Sequence, residues 1–144
     1  MIVVADTSGI IAASDRNATD SAACRNVLDE AGTVLISPLV LAETDHMAKA
    51  RFGSAARDGI TSFILTQARR MRFLIPEIST ELLGTAHAVR QRHSALGLDL
   101  ADAVNVALAA EYGTTAVLTL DRRDFRALRP LTPHGSFRLL PDDG

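Results

Sequence analysis

Apolar residues along this chain fall into two interleaved patterns. Short apolar runs with β-branched residues occur at Ile2–Ala5, Thr33–Ile36, Phe73–Ile75 and Ala116–Thr119. Runs of this length and make-up predict strands buried on both faces. Between them, apolar positions recur at helical spacing. Thr7 or Ser8 caps a short helix through Ile10, Ile11 and Ala12, followed by a polar loop from Ser14 to Thr19. A second helix covers Ala22 to Ala31, turns Val27 and Leu28 inward and stops at Gly32. Ser37-Pro38 is a helix start, with Ser as N-cap and Pro at the first helical position, and the helix runs to about Arg51 before Gly53. The next, from about Ala55 to Arg70, buries Ile60, Phe63 and Ile64. Ser79 opens a helix with Leu82, Leu83, Ala86 and Val89 on one face. Another runs from about Leu100 to Tyr112 and ends at Gly113. A short turn or helix follows at Arg122–Leu128, and Phe137–Leu140 reads as a final edge strand.

Strands alternating with helices predict an α/β fold, a three-layer α/β/α sandwich around a mainly parallel sheet of four to five strands. The 144 residues fit one domain, 1–144. No Gly-, Ser- or Pro-rich linker divides them. Hydrophobic residues make up 47% and aromatic ones only 4%, so the core is built of Ala, Val, Leu and Ile. The scattered phenylalanines, Phe52, Phe63, Phe73, Phe125 and Phe137, read as core, which leaves base stacking without a platform. A formal net charge of -2 excludes a broadly basic nucleic-acid binder. One cysteine, Cys24, excludes an internal disulfide and a multi-cysteine zinc site, fits a cytoplasmic protein and reads as a small buried hydrophobe. The apolar N-terminus lacks a basic start and is interrupted by Asp6, so it is a strand rather than a signal peptide. No run approaches the roughly 20 apolar residues of a membrane span.

The candidate chemistry is carboxylate. Asp6 ends the first strand, and Asp121 follows the fourth. Asp102 lies in the first turn of its helix. Glu43 is one turn into the helix after Pro38, where side chains lean back toward the strand edge. In parallel sheets ligands bind beyond the carboxyl ends of the strands, which is where these acids gather. Each acid alone has a plainer reading: a favourable helix dipole for Asp102, a solvated face for Glu43, a turn for Asp121. Together they repel. Two unit charges about 4 Å apart cost on the order of 4 kcal/mol at an effective dielectric near 20. Four of them require a cation, and oxygen-only ligation favours Mg2+ or Mn2+. Phosphodiester hydrolysis is the chemistry that follows most directly.

Four segments carry a resemblance: VVADTS around Asp6, SPLVLAE ending at Glu43, LDLADAVNVALAAEYG around Asp102 and VLTLDRRDF around Asp121. Their order and spacing resemble a PIN domain, and the length resembles a VapC-type toxin ribonuclease. The resemblance implies a Mg2+- or Mn2+-dependent endoribonuclease that acts on RNA as a cytoplasmic homodimer and is neutralised by a small antitoxin. It implies Asp6, Glu43, Asp102 and Asp121 as the catalytic, metal-holding quartet, with Thr119 matching the hydroxyl residue before the last acid. Asp99 and Asp124 are spare acids beside the third and fourth positions. Asn105 sits one turn after Asp102, in reach of substrate or the metal's waters. Arg122, Arg123 and Arg126 are candidates for gripping RNA phosphates.

Other constellations fail. His46, His87, His93 and His134 lack metal-ligand spacing. There is no P-loop and no GxSxG elbow. A phosphotransfer receiver needs paired acids at the first strand and a lysine after the last, but Asp6 stands alone and Lys49 is the only lysine. A haloacid-dehalogenase-like phosphatase needs Asp-x-Asp, and position 8 is Ser. The remaining rival is a non-catalytic binding module with the PIN fold, against which the retention of all four acids argues.

Overall fold

The computed structural model describes residues 1–144. Five strands, β1 (Ile2–Ala5), β2 (Thr33–Leu35), β3 (Phe73–Leu74), β4 (Ala116–Leu118) and β5 (Arg138–Leu140), form one sheet in the order β3-β2-β1-β4-β5. Every neighbouring pair is parallel. Side chains alternate across it. Val3, Ala5, Val34, Ile36, Ala116 and Leu118 face one core, and Val4, Leu35, Val117 and Leu139 face the other. The first core is closed by α1 (Thr7–Ser14), α2 (Ser21–Glu30), α3 (Pro38–Phe52) and α4 (Ser54–Arg69). The second is closed by α6 (Leu100–Glu111) and α7 (Arg122–Ala127), and α5 (Thr80–Arg92) packs on the back of α6. The predicted α/β/α sandwich is the observed one.

The helix starts read from the sequence hold where a side chain caps. Ser37 Oγ accepts from Leu39 N, Ser79 Oγ from Leu82 N and Asp99 Oδ1 from Asp102 N. At α1 the N-cap is Asp6 rather than Thr7 or Ser8. Its carboxylate makes no cap bond, because Oδ2 is taken by the hydroxyls of Thr119 and Ser8. The expected burial of α4, and of Phe52 at the end of α3, also needs correcting. Ile64 is buried, but Ile60 and Phe52 are only half-buried and Phe63 is 48% exposed. These side chains line an apolar groove of about 950 Å³ between α1–α2 and α4, together with Ile10, Leu28 and Phe73.

The strand order reverses at β1. The chain steps from β1 out to β2 and β3, then returns to β4 on the other side. Such a reversal opens a crevice at the carboxyl ends of the two central strands. Gly9 lets α1 sit over that edge. A Cβ there would lie 2.6 Å from Leu118 Cγ and 3.0 Å from the Leu118 carbonyl oxygen. Gly9→Ala should therefore push α1 off β4, at a cost of about 1–3 kcal/mol. Thermal denaturation should show a melting temperature lower by several degrees; an unchanged value would mean that α1 has room to move.

Candidate metal centre

Asp6 sits at the end of β1, where its N–H donates to Leu118 O of β4 (2.9 Å). Its side chain is 4% exposed. Thr119, 1% exposed, donates its hydroxyl to Asp6 Oδ2 at 2.8 Å and accepts the Asp121 N–H at 2.9 Å. Ser8 Oγ lies 3.2 Å from both Asp6 Oδ2 and Thr119 Oγ1 and accepts Leu120 N–H at 2.9 Å. These bonds tie the ends of β1 and β4 together and fix one oxygen of Asp6. Thr119 thus acts through Asp6 and Asp121, and its hydroxyl is occupied rather than open to a ligand. By sequence Ser8 reads as a helix cap rather than a site residue; its position two after Asp6, at a strand-to-helix turn, is the signal for its role here.

Asp102 comes from the first turn of α6, half-buried. Carboxylate oxygens of Asp102, Asp121 and Asp124 lie within 4.8 Å of one another. Asp124, a spare acid by sequence, joins because it is three residues after Asp121 on the first turn of α7, where such positions share a face. Asp6 and Glu43 are outside this tightest trio, yet both are near enough for their charges to act on Asp102. Asp99 is near too, but its carboxylate caps α6.

Burial and crowding raise the proton affinity of these acids. Burial pushes Asp102 up to about 8, with the charges of Asp6, Asp99, Asp121 and Glu43 adding to it. Burial lifts Asp6 to about 6 against the hydrogen bonds from Thr119, Thr7 and Ser8. Asp121 is also raised, first by burial and then by Asp124. Carboxyls raised this way hold protons unless a cation takes their place. The donors are all oxygen and carry excess negative charge, which suits a hard divalent ion.

The arginines after Asp121 are not equivalent. Arg122 Nε is 2.6 Å from Asp142 and its Nη2 is 3.9 Å from Asp20. Arg126 makes a bidentate pair with Asp143 at 2.8 and 2.7 Å. Arg123 is exposed and has no acidic partner. Asn105 is fully buried, with neither end of its amide hydrogen-bonded.

A pH dependence follows. Asp6 and Asp102 bind protons more tightly folded than unfolded, where the ordinary value is near 3.8. Stability of the metal-free protein is then full below about pH 4 for these two groups and is lost as pH rises through about 6 and about 8. Asp6 alone accounts for roughly 3 kcal/mol. Asp143, held at about 2 by Arg126, titrates below this window. Denaturant unfolding in EDTA should show stability falling from pH 5 to pH 8, and Mn2+ should flatten the fall. A rise across that range in EDTA would contradict the crowding of these acids.

The PIN domain family model matches residues 3–129. Ribonuclease VapC26 of Mycobacterium tuberculosis is 31% identical over 140 residues, 96% of this chain and 100% of that protein. Among solved structures, M. tuberculosis VapC20, a sarcin-ricin loop cleaving toxin, superposes with a TM-score of 0.74 at 19% identity, covering 84% of this chain and 91% of its own. VapBC2 from Rickettsia felis, bound to a DNA fragment from its promoter, gives 0.68 at 17% identity and covers 91% of this chain and 96% of that one. A toxin-antitoxin complex from Klebsiella pneumoniae gives 0.65 at 23%, covering 92% and 98%.

Proposed function

The chain belongs to the PIN domain family, and from that premise we propose that it is a Mg2+- or Mn2+-dependent endoribonuclease, the toxin of a toxin-antitoxin pair. One observation carries the proposal. Asp102 lies half-buried at the switch point of a parallel sheet, among acids that cannot all ionise without a cation. A divalent ion held there supplies an activated water and stabilises charge on a phosphoryl oxygen.

The chain's own residues divide the work. Asp102, Asp121 and Asp124 offer the closest set of oxygens, and Asp6 offers the oxygen that Thr119 leaves free. Glu43, from the facing helix α3, holds or orients water at the site. Arg123 is the open cation beside Asp121 for an RNA phosphate. Arg122 joins it when its Asp142 contact is released. The hydroxyls beside Asp6, those of Ser8 and Thr119, are engaged in hydrogen bonds, which supports cutting without a covalent intermediate.

The proposal extends to a small antitoxin, to a homodimer and to action in the cytoplasm. No helix is long and apolar enough to cross a membrane. The apolar groove beside α4 supports an antitoxin partner, as does the likeness to a relative whose name is that of a VapC ribonuclease. The test is cleavage of RNA by the purified chain. Cutting should require Mg2+ or Mn2+ and stop with EDTA, and sequencing the cut ends should reveal the target. Cutting that persists in EDTA would overturn the mechanism.

A further inference from the structure

Among the polar side chains of α6, Asn105 is the one whose burial the surrounding protein does not explain. It is 0% exposed, and neither Oδ1 nor Nδ2 has a hydrogen-bond partner. Thr7 and Thr44 also carry unpaired buried hydroxyls. A hydroxyl rotates to suit its neighbours, and that of Thr44, inside α3, can turn onto a carbonyl of the preceding turn, so these two are weaker markers than an amide. An amide presents donors and acceptor at fixed positions and lacks that freedom. Buried groups of this kind are satisfied by protein, water or a bound ligand.

The faces of α6 say where the amide lies. Val106 and Ala109 sit in the core against the sheet, while Ala103, Val104, Ala107 and Leu108 sit in the cluster against α5. Asn105 falls between these faces, one turn below Asp102. Residues three apart are neighbours on a helix surface. Helical side chains lean toward the helix N-terminus, which here is the end that carries Asp102. That lean carries the amide toward the turn that holds Asp102. Being neutral, it can donate there without adding charge to the clustered carboxylates.

We propose that Asn105 is the floor of the cation site: its Nδ2, which has no protein partner, would donate to a water in the shell of a bound ion and so hold that shell in place. The inference rests on the reading of the acids as a Mg2+ or Mn2+ site. Asn105 is a positioning residue, not a ligand. Outer partners of this kind are worth about 10–100-fold in metal affinity.

The test is calorimetric titration of Mn2+ into the metal-free protein. Asn105→Leu and Asn105→Ala should each weaken Mn2+ binding by about 10–100-fold with stoichiometry unchanged. Neither change removes a protein hydrogen bond, so any fall in melting temperature in EDTA should stay within the packing cost of the altered volume. If Leu proves too bulky for the site and lowers that temperature, Ala carries the test, since it adds no volume. Mn2+ binding equal to wild type in the Ala variant, with binding lost in Asp102→Asn, would overturn the role of Asn105 and leave the metal site standing. A wild-type protein that binds no Mn2+ would overturn both.

Discussion

Asp102→Asn should abolish metal-dependent RNA cutting and, in the same protein, raise the melting temperature in EDTA. The two effects have one origin. Asp102 is pushed up to about 8, first by burial and then by the charges of Asp6, Asp99, Asp121 and Glu43. In the metal-free protein at neutral pH the carboxyl must hold a proton or endure that repulsion. An amide of the same shape does neither, so the fold gains. Asp102 is one of the three closest carboxylates that would hold a divalent ion, and the Lewis-acid stabilisation the ion would supply, worth several kcal/mol, would go with it, a rate loss on the order of 10³-fold or more. Asp6→Asn should cost activity similarly while keeping the fold, since an amide oxygen still accepts from Thr119 and Ser8. The check is a labelled-RNA cleavage assay paired with thermal melts, with and without Mn2+. Mn2+ should raise the melting temperature of wild type and leave that of Asp102→Asn unmoved. A variant that keeps more than about a tenth of wild-type cutting would remove Asp102 from the reaction, because the loss expected from several kcal/mol is far larger.

What the sequence makes legible depends on whether a feature is local. The strands are legible because burial on both faces needs unbroken apolar runs, and Val3, Val4, Val34, Leu35, Val117 and Leu118 are all 0% exposed. The starts of α3, α5 and α6 are legible because a cap bond spans two or three residues. Asp6, Asp102 and Asp121 can be placed at one sheet edge because each touches the end of a strand or the first turn of a helix. Asp124 is harder. Nothing along the chain ranks it against Asp121, and only the path of α7 brings both to Asp102. The arginine pairing is non-local as well: Asp142 and Asp143 fold back on Arg122 and Arg126 from the end of the chain. Helical spacing marks Ile60 and Phe63 as an apolar face, but spacing is silent on whether that face is buried within the chain or left for a partner.

That face gives the other large effect. Phe63→Asp should free the enzyme from its antitoxin while leaving RNA cutting intact. Phe63 stands 48% exposed, edge-on to Phe73 at 5.8 Å, over a groove lined also by Ile10, Leu28, Ile60 and Ile64. None of the clustered acids lines it. An apolar segment of the antitoxin laid into this groove would bury Phe63, and a carboxylate in its place would lose its water against that segment, with Arg16 and Arg25 as the groove's only cations to offset the loss. Poorly compensated burial of a charge costs several kcal/mol, which is on the order of 10³-fold in the dissociation constant. The folded toxin should tolerate the change, because a half-exposed side chain keeps access to solvent before the partner arrives. Titrating cleavage with purified antitoxin measures both parts: the variant should cut at the wild-type rate alone and resist inhibition. Full inhibition of Phe63→Asp at the wild-type antitoxin concentration would place the antitoxin elsewhere and leave the groove to another occupant.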